Sequence, residues 1–278
     1  MYNIDTNKII RELKLAIIAD LHFGSKTSKR YLNKIIKKVI KISPNYILMP
    51  GDIIDSNDFD SHKKEEFIEF LKELRKISKV IMSLGNHDIS HFENDAWIKK
   101  NNYELFNEID KISNIEVLNN DFYYDERQNV CFAGYTEPYE NFKYFKDFTS
   151  FKEDINLKLP SKFDHDSYNI LLSHNPVHYN KLAKEYVEIL KNTDLIISGH
   201  MHAGLIHPLL RPLVKDGGGL ISPDKRLFPK KTVGQYKLDE IDHIIASPYT
   251  YIAENNGALR HFNHLYPNNI DKVKIKSR

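Results

Sequence analysis

The first half of the chain alternates short apolar runs with amphipathic patterns. Residues 14–19, 46–49 and 79–84 are apolar runs typical of buried strands. Between them, residues 28–42 and 62–77 place apolar side chains three and four positions apart, which is the spacing of one helical face. This order of strands and helices predicts right-handed crossovers and a parallel sheet covered by helices.

The second half of the chain shows a different pattern. Three short apolar runs, at 115–118, 122–124 and 130–133, are joined by polar stretches and predict a hairpin or a meander. The pattern further predicts a strand at 168–172, a helix at 177–190, a strand at 195–198 and short strands between 232 and 276, and it leaves the aromatic-rich segment 135–151 unassigned. Because no Pro/Gly/Ser-rich linker divides the sequence, residues 1–278 are predicted to form a single α/β domain with two sheets.

Composition narrows the class of protein. The 278 residues are 41% hydrophobic and 28% charged, which is typical of a folded globular protein and excludes a disordered one. Forty basic and 38 acidic residues nearly balance, so we expect no nucleic-acid partner. The single cysteine, Cys131, excludes an intrachain disulfide and a cysteine-based zinc cluster. No run approaches the ~18 apolar residues of a membrane span and no signal peptide is evident, so we expect a cytoplasmic protein. The oligomeric state is not indicated by the sequence.

Polar, chemically active residues follow five of the predicted strands. The five blocks are Asp20-Leu21-His22, Gly51-Asp52, Gly85-Asn86-His87-Asp88, Ser173-His174-Asn175 and Gly199-His200-Met201-His202. Each block alone is as typical of a solvated turn as of a site. Ligands of open α/β sheets bind beyond the carboxyl ends of the strands, so five such blocks together predict one common site.

The residue types indicate a metal site. Imidazole, carboxylate and amide groups without thiolate suit manganese, iron, zinc or magnesium. Seven candidate ligands are too many for one tetrahedral ion, whereas two ions that share a carboxylate would use all of them.

The five blocks resemble the signature blocks of the calcineurin-like metallophosphoesterases, in the order of that family, between residues 20 and 202. The segment 217–236 is similar to a bacterial, phosphodiesterase-like branch of the same family. The resemblance implies an α/β fold built as a four-layer α/β/β/α sandwich with two mixed β-sheets. One departure lies in the last block, where Met201, Ala203 and Leu205 replace the threonine, glycine and glutamine that the family often has. It removes no metal ligand.

The resemblance also implies a role for each ligand. One divalent ion would be held by Asp20, His22 and His202, the other by Asn86, His174 and His200, and Asp52 would bridge the two. Manganese is the first expectation for both ions, with iron, zinc or magnesium as alternatives.

The catalytic histidine of the family corresponds to His87, and Asp88 is expected to orient it. An imidazole held by a carboxylate is a usable general acid near neutral pH. For Asp88, a capping role at a helix start is compatible with that function. Asp55 is interpreted either as support for the ligands or as a turn residue.

The leading hypothesis is a dinuclear metal-dependent phosphoesterase that hydrolyses a phosphomonoester or a phosphodiester. A metal-bound hydroxide would attack phosphorus and His87 would protonate the departing oxygen. The alternatives are a catalytically silent binding scaffold of the same fold and an amidase or other metal hydrolase. The complete set of ligands favours the first hypothesis.

An apolar stretch with two prolines, at 203–214, directly follows the last block. The prolines argue against a regular helix and a central strand, so a loop is predicted. The loop either buries Leu209, Leu210 and Leu213 as a small core or exposes residues 204–214 as an apolar lip. A lip would accept a small-molecule or lipid-like phosphoester or make peripheral membrane contact, and Arg211 and Lys215 would then meet phosphate.

Overall fold

The computed structural model of the chain describes residues 1–57, 59, 61–93, 96–99, 102–138, 163–176, 190–223, 227–250, 263 and 268–277. Its strands are β1 (Tyr2–Thr6), β2 (Leu13–Ile17), β3 (Tyr46–Pro50), β4 (Lys79–Ser83), β5 (Ser90–Glu93), β6 (Ala96–Lys99), β7 (Ile115–Val117), β8 (Asp121–Asp125), β9 (Val130–Tyr135), β10 (Tyr168–Ser173), β11 (Leu195–Ser198), β12 (Gly234–Leu238), β13 (Ile241–Ile245) and β14 (Asp271–Ser277). Its α-helices are α1 (Lys29–Ile42), α2 (Ser61–Ile77), α3 (Asn86–Ile89) and α4 (Tyr103–Asp110).

Strands β2, β3 and β4 form the parallel centre of the first sheet, as their spacing with α1 and α2 predicts. The full strand order is β1-β14-β2-β3-β4-β7, and β14 runs antiparallel to β2 but parallel to β1. Helix α1 begins where the Ser28 hydroxyl accepts the Tyr31 N–H at 3.2 Å, and it ends at Ser43, whose φ of 49° is left-handed.

The second sheet has the strand order β12-β13-β11-β10-β9-β8. Its inner strands β9, β10, β11 and β13 are parallel, whereas β8 and β12 form antiparallel pairs at the two edges. Both sheets are therefore mixed.

The two sheets pack against each other through a shared apolar core. Buried side chains of the first sheet, among them Leu48 and Ile81, lie in one cluster with Phe132, Leu172 and Ile197 of the second sheet. A separate cluster packs α1, α2 and α4 against the outer face of the first sheet. The structure confirms the predicted mixed α/β fold with two mixed sheets.

Some local predictions were wrong, and others concern residues that the structure does not describe. Strand β7 does not join a meander with β8 and β9, because it pairs with β4 in the first sheet, while β8 and β9 do form the predicted hairpin. Strand β1 and helix α4 were missed. The helix predicted at 177–190 and most of the segment 135–151 lie outside the described residues. The assignment of residues 1–278 to one domain stays a prediction.

The stretch after the last ligand block is not the plain loop that its prolines predict. It contains 3₁₀ helices at His202–Leu205, Pro208–Leu213 and Lys215–Gly217. Pro208 can begin a short helix because the first helical position needs no N–H donor. Among the described residues, no helix combines the length and the apolar character that crossing a membrane requires.

Candidate metal centre

The site lies where the carboxyl ends of strands from both sheets meet. Asp20 and His22 follow β2, and Asp52 follows β3 by two residues. His174 comes directly after β10, and His200 comes two residues after β11. Because the strands of each group are parallel, their ends deliver these side chains to one edge of the double sheet.

The predicted ligands form two clusters that share one carboxylate. Within each cluster, the candidate ligand atoms lie no more than 4.8 Å from one another. The first cluster contains Asp20, His22, Asp52 and His202, and the second contains Asp52, His174 and His200. Asp52 is thus the one residue that belongs to both, as the predicted bridge requires.

Several polar atoms in these clusters lie close together or lack a partner, and a bound cation would supply the missing interaction. The Nε2 atoms of His22 and His202 face each other at 3.4 Å, and His174 Nε2 lies 3.0 Å from an oxygen of Asp52. Among the described residues, Asn86 Oδ1 and one oxygen of Asp20 are buried and have no hydrogen-bond partner. A buried polar atom without a partner costs ~1–3 kcal/mol, so this donor set fits divalent cations.

Backbone contacts fix the orientation of the ligands. His174 Nδ1 lies 2.9 Å from the Pro50 carbonyl, which can only accept, so Nδ1 donates and Nε2 is the atom left to ligate. The His200 N–H donates to Asp20 at 2.9 Å, and the His87 N–H donates to Asp52 at the same distance.

The ligands are also packed against glycine. A Cβ on Gly85 would lie 2.3 Å from Asp52 Oδ1 and 2.5 Å from the Asp52 nitrogen. Gly51, whose φ is 81°, would bring a Cβ within 2.6 Å of His174 Nδ1. Both glycines of these blocks are therefore needed for the close approach of the ligands, and not only for turning the chain.

Five of the seven predicted ligands adopt left-handed backbone conformations that side chains rarely take. Their φ values lie between 44° and 65°, at Asp20, His22, Asp52, His200 and His202. Strain of this kind is sustained only where the surrounding fold imposes it, and it concentrates at functional sites.

Burial and mutual contact shift the protonation of the ligands. Burial, with the nearby His87, lowers the pKa of His22 to about 3, which keeps its imidazole neutral and available as a ligand. Burial opposes the ionisation of Asp52, but His174 and His87 hold the pKa of that carboxyl well below its ordinary value. Asp52 in turn raises the pKa of His174 to about 9 against the effect of burial, so an ion held at Nε2 would displace a proton. Asp52 itself is anionic.

His87 lies beside the first cluster. Its ring packs edge-on against the His22 ring, with 4.6 Å between the centroids. Its Nδ1 lies 3.3 Å from Oδ1 of the fully buried Asp55. The same oxygen of Asp55 also accepts the Asn57 N–H at 3.2 Å, so Asp55 takes part in the turn and holds the His87 ring, while its support for the ligands stays a prediction.

The structure does not place Asp88 as the partner of the His87 ring, and Asp55 holds that position. Both oxygens of Asp88 instead accept backbone N–H groups, one from Ile53 and Ile54 at 2.9 Å each and the other from Gly85 at 2.8 Å. Burial, with the nearby Asp52, raises the pKa of Asp88 to about 7. Asp88 thus joins the turn after β3 to the turn after β4. Its carboxylate contacts these backbone groups and not the ring of its sequence neighbour His87.

A small cavity of about 10 Å³, room for about one water molecule, lies beside the second cluster. Its lining includes Asn86 and His174 and also Glu137, whose carboxylate accepts a hydrogen bond from the Asn175 amide. Burial raises the pKa of Glu137 to about 8. Glu137 was missed from the sequence, although it follows β9 by two residues, as Asp52 follows β3.

Two further histidines from the sequence have structural partners. His207 Nδ1 accepts the Leu209 N–H at 3.2 Å and caps the 3₁₀ helix that follows. His243 is buried, with Nε2 3.1 Å from the Ser198 hydroxyl.

Two mixed sheets whose strand ends converge on clusters of candidate His/Asp metal ligands define the class of an α/β protein with a candidate metal site. The chain belongs to the calcineurin-like phosphoesterase family, whose sequence model matches residues 13–204.

Similar proteins carry the same family name. The chain is 27% identical over 208 residues to an uncharacterized metallophosphoesterase of Campylobacter jejuni, covering 75% of this chain and 49% of that protein. It is 27% identical over 203 residues to one from Helicobacter pylori strain J99, covering 73% and 48%. The chain therefore spans about half the length of these relatives. The crystal structure of TT1561 from Thermus thermophilus shares the fold, with a TM-score of 0.51 and 12% identity over 86% of this chain and 91% of that one.

Proposed function

We propose that this protein is a dinuclear metal-dependent phosphoesterase that hydrolyses a phosphomonoester or a phosphodiester. The observation that carries the proposal is the pair of clusters joined by Asp52, with His87 packed at 4.6 Å against one of their ligands. Membership of the calcineurin-like phosphoesterase family supports the same reaction class.

The ligand assignment follows the two clusters. Asp20, His22 and His202 would hold one ion, Asn86, His174 and His200 the other, and Asp52 both. A pair of divalent ions held there would supply an activated water and neutralise charge on the phosphoryl oxygens. Manganese is our first expectation for the ions, with iron, zinc or magnesium as alternatives, since oxygen and nitrogen ligands accept all four.

His87 would supply the proton that the departing oxygen needs. Asp55 engages Nδ1, which orients the ring and stabilises its protonated form, and Nε2 would carry the transferred proton. The side chain is 13% exposed, so it is reachable from the site yet protected from bulk water. A positioned general acid of this kind contributes ~10²–10⁴-fold to the rate.

Glu137 and Asn175 are the groups best placed to contact the organic part of a substrate near the second cluster. Their hydrogen bond fixes both side chains on the wall of the cavity that Asn86 and His174 also line. Fixed polar groups in a cleft are what confer specificity on a small-molecule site.

The complete set of ligands argues against the alternative of a silent scaffold, in which an eroded site would be expected. A scaffold could nevertheless retain metal, so metal content alone does not separate the two. Turnover does.

The test combines metal analysis with a substrate screen. Purified protein should contain two ions per chain by elemental analysis and should hydrolyse aryl phosphomonoesters or phosphodiesters with at least one of manganese, iron, zinc and magnesium. His243→Ala is a matched control, because it removes a buried histidine outside both clusters. Two bound ions without turnover of any phosphoester would overturn the proposal in favour of the scaffold or of another metal hydrolase.

A further inference from the structure

The segment 203–233, which we call the leucine segment, concentrates the exposed apolar side chains of the described chain. Six of the eleven large hydrophobic side chains that are exposed among the described residues lie within residues 209–228. They are Leu209 (81% exposed), Leu210 (49%), Leu213 (81%), Leu220 (50%), Leu227 (70%) and Phe228 (75%). Of the two alternatives considered for this stretch, the buried core is wrong, because these leucines face solvent.

The 3₁₀ helix at Pro208–Leu213 exposes apolar side chains more than its charged one, which is the reverse of a usual protein surface. Its charged residue, Arg211, is half-buried, and its guanidinium lies 3.4 Å from the Ser247 hydroxyl. Its leucines at 209 and 213 are the exposed ones. Exposed apolar side chains that cluster in one segment are typical of a surface that binds a partner.

A second part of the leucine segment is held against the start of the first. The Gly204 carbonyl accepts the N–H groups of Leu220 at 2.8 Å and Ile221 at 3.2 Å. A Cβ on Gly219 would lie 2.3 Å from the Gly204 Cα, so only glycine permits this contact. The Phe228 N–H donates to the Leu220 carbonyl at 2.9 Å, which fixes the exposed Phe228 as part of the same folded unit.

The charge of the leucine segment differs from that of the rest of the chain. It carries six basic and two acidic residues, whereas the remaining sequence carries 34 basic and 36 acidic ones. Two exposed lysines, Lys230 and Lys231, follow Phe228 almost directly. Apolar side chains flanked by cations are complementary to an anionic lipid surface, where each lysine near the surface is worth ~1 kcal/mol.

We propose that the leucine segment docks on an anionic lipid bilayer, with Leu209, Leu213 and Phe228 entering the headgroup region and Lys230 and Lys231 facing the lipid phosphates. The segment begins directly after His202, so docking would hold the metal centre at the membrane surface. That consequence for substrate, an amphiphilic phosphoester, rests on the proposed function; the docking itself does not.

The test is sedimentation with vesicles, which needs no catalytic activity. The full chain should bind vesicles of 70% phosphatidylcholine and 30% phosphatidylglycerol and should bind pure phosphatidylcholine vesicles much more weakly. Leu209→Asp/Leu213→Asp should weaken partitioning onto the anionic vesicles by about tenfold or more, because it replaces inserted apolar groups by like charge. Both side chains are 81% exposed, so the folded state should keep its melting temperature and its metal content.

The matched control is Ile10→Asp/Phe122→Asp, which introduces two acids at apolar side chains that are 58% and 37% exposed elsewhere. It should bind like the unmodified chain. Helix α1 is a competing basic surface, since it has six basic residues and no acidic one. Lys37→Glu/Lys41→Glu tests that surface directly, and loss of binding there with normal binding by Leu209→Asp/Leu213→Asp would overturn the proposal.

Two other outcomes would also overturn it. One is failure of the unmodified chain to sediment with the anionic vesicles. The other is a dimer by light scattering that Leu209→Asp/Leu213→Asp converts to a monomer without vesicle binding by either protein, which would make the leucine segment a contact between copies of the chain.

Discussion

The metal edge, by which we mean the predicted ligands at the strand ends, adjoins the leucine segment at His202. The first region buries polar groups and the second exposes apolar ones, so each departs from the usual folding preference in the opposite direction. At the metal edge, carboxylates and imidazoles are buried, and oxygens of Asp20 and Asn86 lack partners among the described residues. In the leucine segment, leucines at 209 and 213 are 81% exposed. Both arrangements cost free energy in the isolated chain, and each cost would be removed by the partner proposed for it, a cation or an apolar surface. The comparison teaches that local violations of folding preference indicate what a protein binds.

The largest expected effect is at the metal edge. Asp52→Ala should abolish phosphoester hydrolysis and release both ions, because it removes the carboxylate that belongs to both clusters. Elemental analysis of the purified variant measures this directly. Asp125→Ala serves as a control, since that carboxylate binds the Tyr46 hydroxyl away from the site. Two ions retained per chain in the Asp52 variant would show that Asp52 is not the bridge.

Removal of His87 should separate catalysis from metal binding. His87→Ala should keep both ions and lower the rate by ~10²–10⁴-fold, the usual contribution of a general acid. The loss should shrink for aryl esters with good leaving groups, which depart without a proton. If the loss is the same for every leaving group, His87 positions the substrate and does not donate a proton.

Substitutions of the two aspartates near His87 should have different effects, one on the rate and the other on stability. Asp55→Asn should lower the rate by about tenfold on poor leaving groups, with little effect on good ones, because Asp55 only holds the imidazole. Asp88→Asn should instead lower the free energy of unfolding by about 1–3 kcal/mol, since one of three backbone donors would face an amide N–H. Urea denaturation and leaving-group series measure the two effects. If Asp88→Asn lowered the rate on poor leaving groups and Asp55→Asn lowered only the stability, Asp88 would be the partner of His87.

The smallest effect joins the two regions. If the leucine segment serves the metal edge, kcat/KM on a lysophospholipid-type phosphodiester should exceed that on a cyclic nucleotide by several-fold. Leu209→Asp/Leu213→Asp should remove that preference without lowering hydrolysis of a small soluble aryl ester. Equal loss on all substrates would mean that the leucines support the fold of the site.

Sequence periodicity predicted the elements that position the site. Strands β2, β3 and β4 and helices α1 and α2 lie close to their expected positions, because each buries one regular face. Strand β7 was assigned to the wrong sheet, since three apolar residues do not specify which neighbour they pair with. Strand β1 escaped notice because it is an edge strand of mixed polarity.

The ligands were predictable for a different reason. Each follows a strand end, so their shared edge could be inferred before any contact was known. The partner of His87 could not be inferred in that way, because Asp88 adjoins it in the sequence, whereas Asp55 lies 32 residues earlier and reaches the ring only through the fold. The exposure of Leu209 and Leu213 was also open, since apolar residues in a loop are equally compatible with a core and a surface.

The left-handed conformations at Asp20, His22, Asp52, His200 and His202 have a consequence for how this chain tolerates change over evolutionary time. Each non-glycine residue in that region costs about 1 kcal/mol or more, and glycine would relieve the cost. Asp20→Gly would therefore relieve backbone strain in the metal-free chain while removing a ligand. Mutational drift toward stability and retention of the ions pull in opposite directions at these five positions. A thermostabilised descendant selected without an activity screen would be expected to lose its metals first.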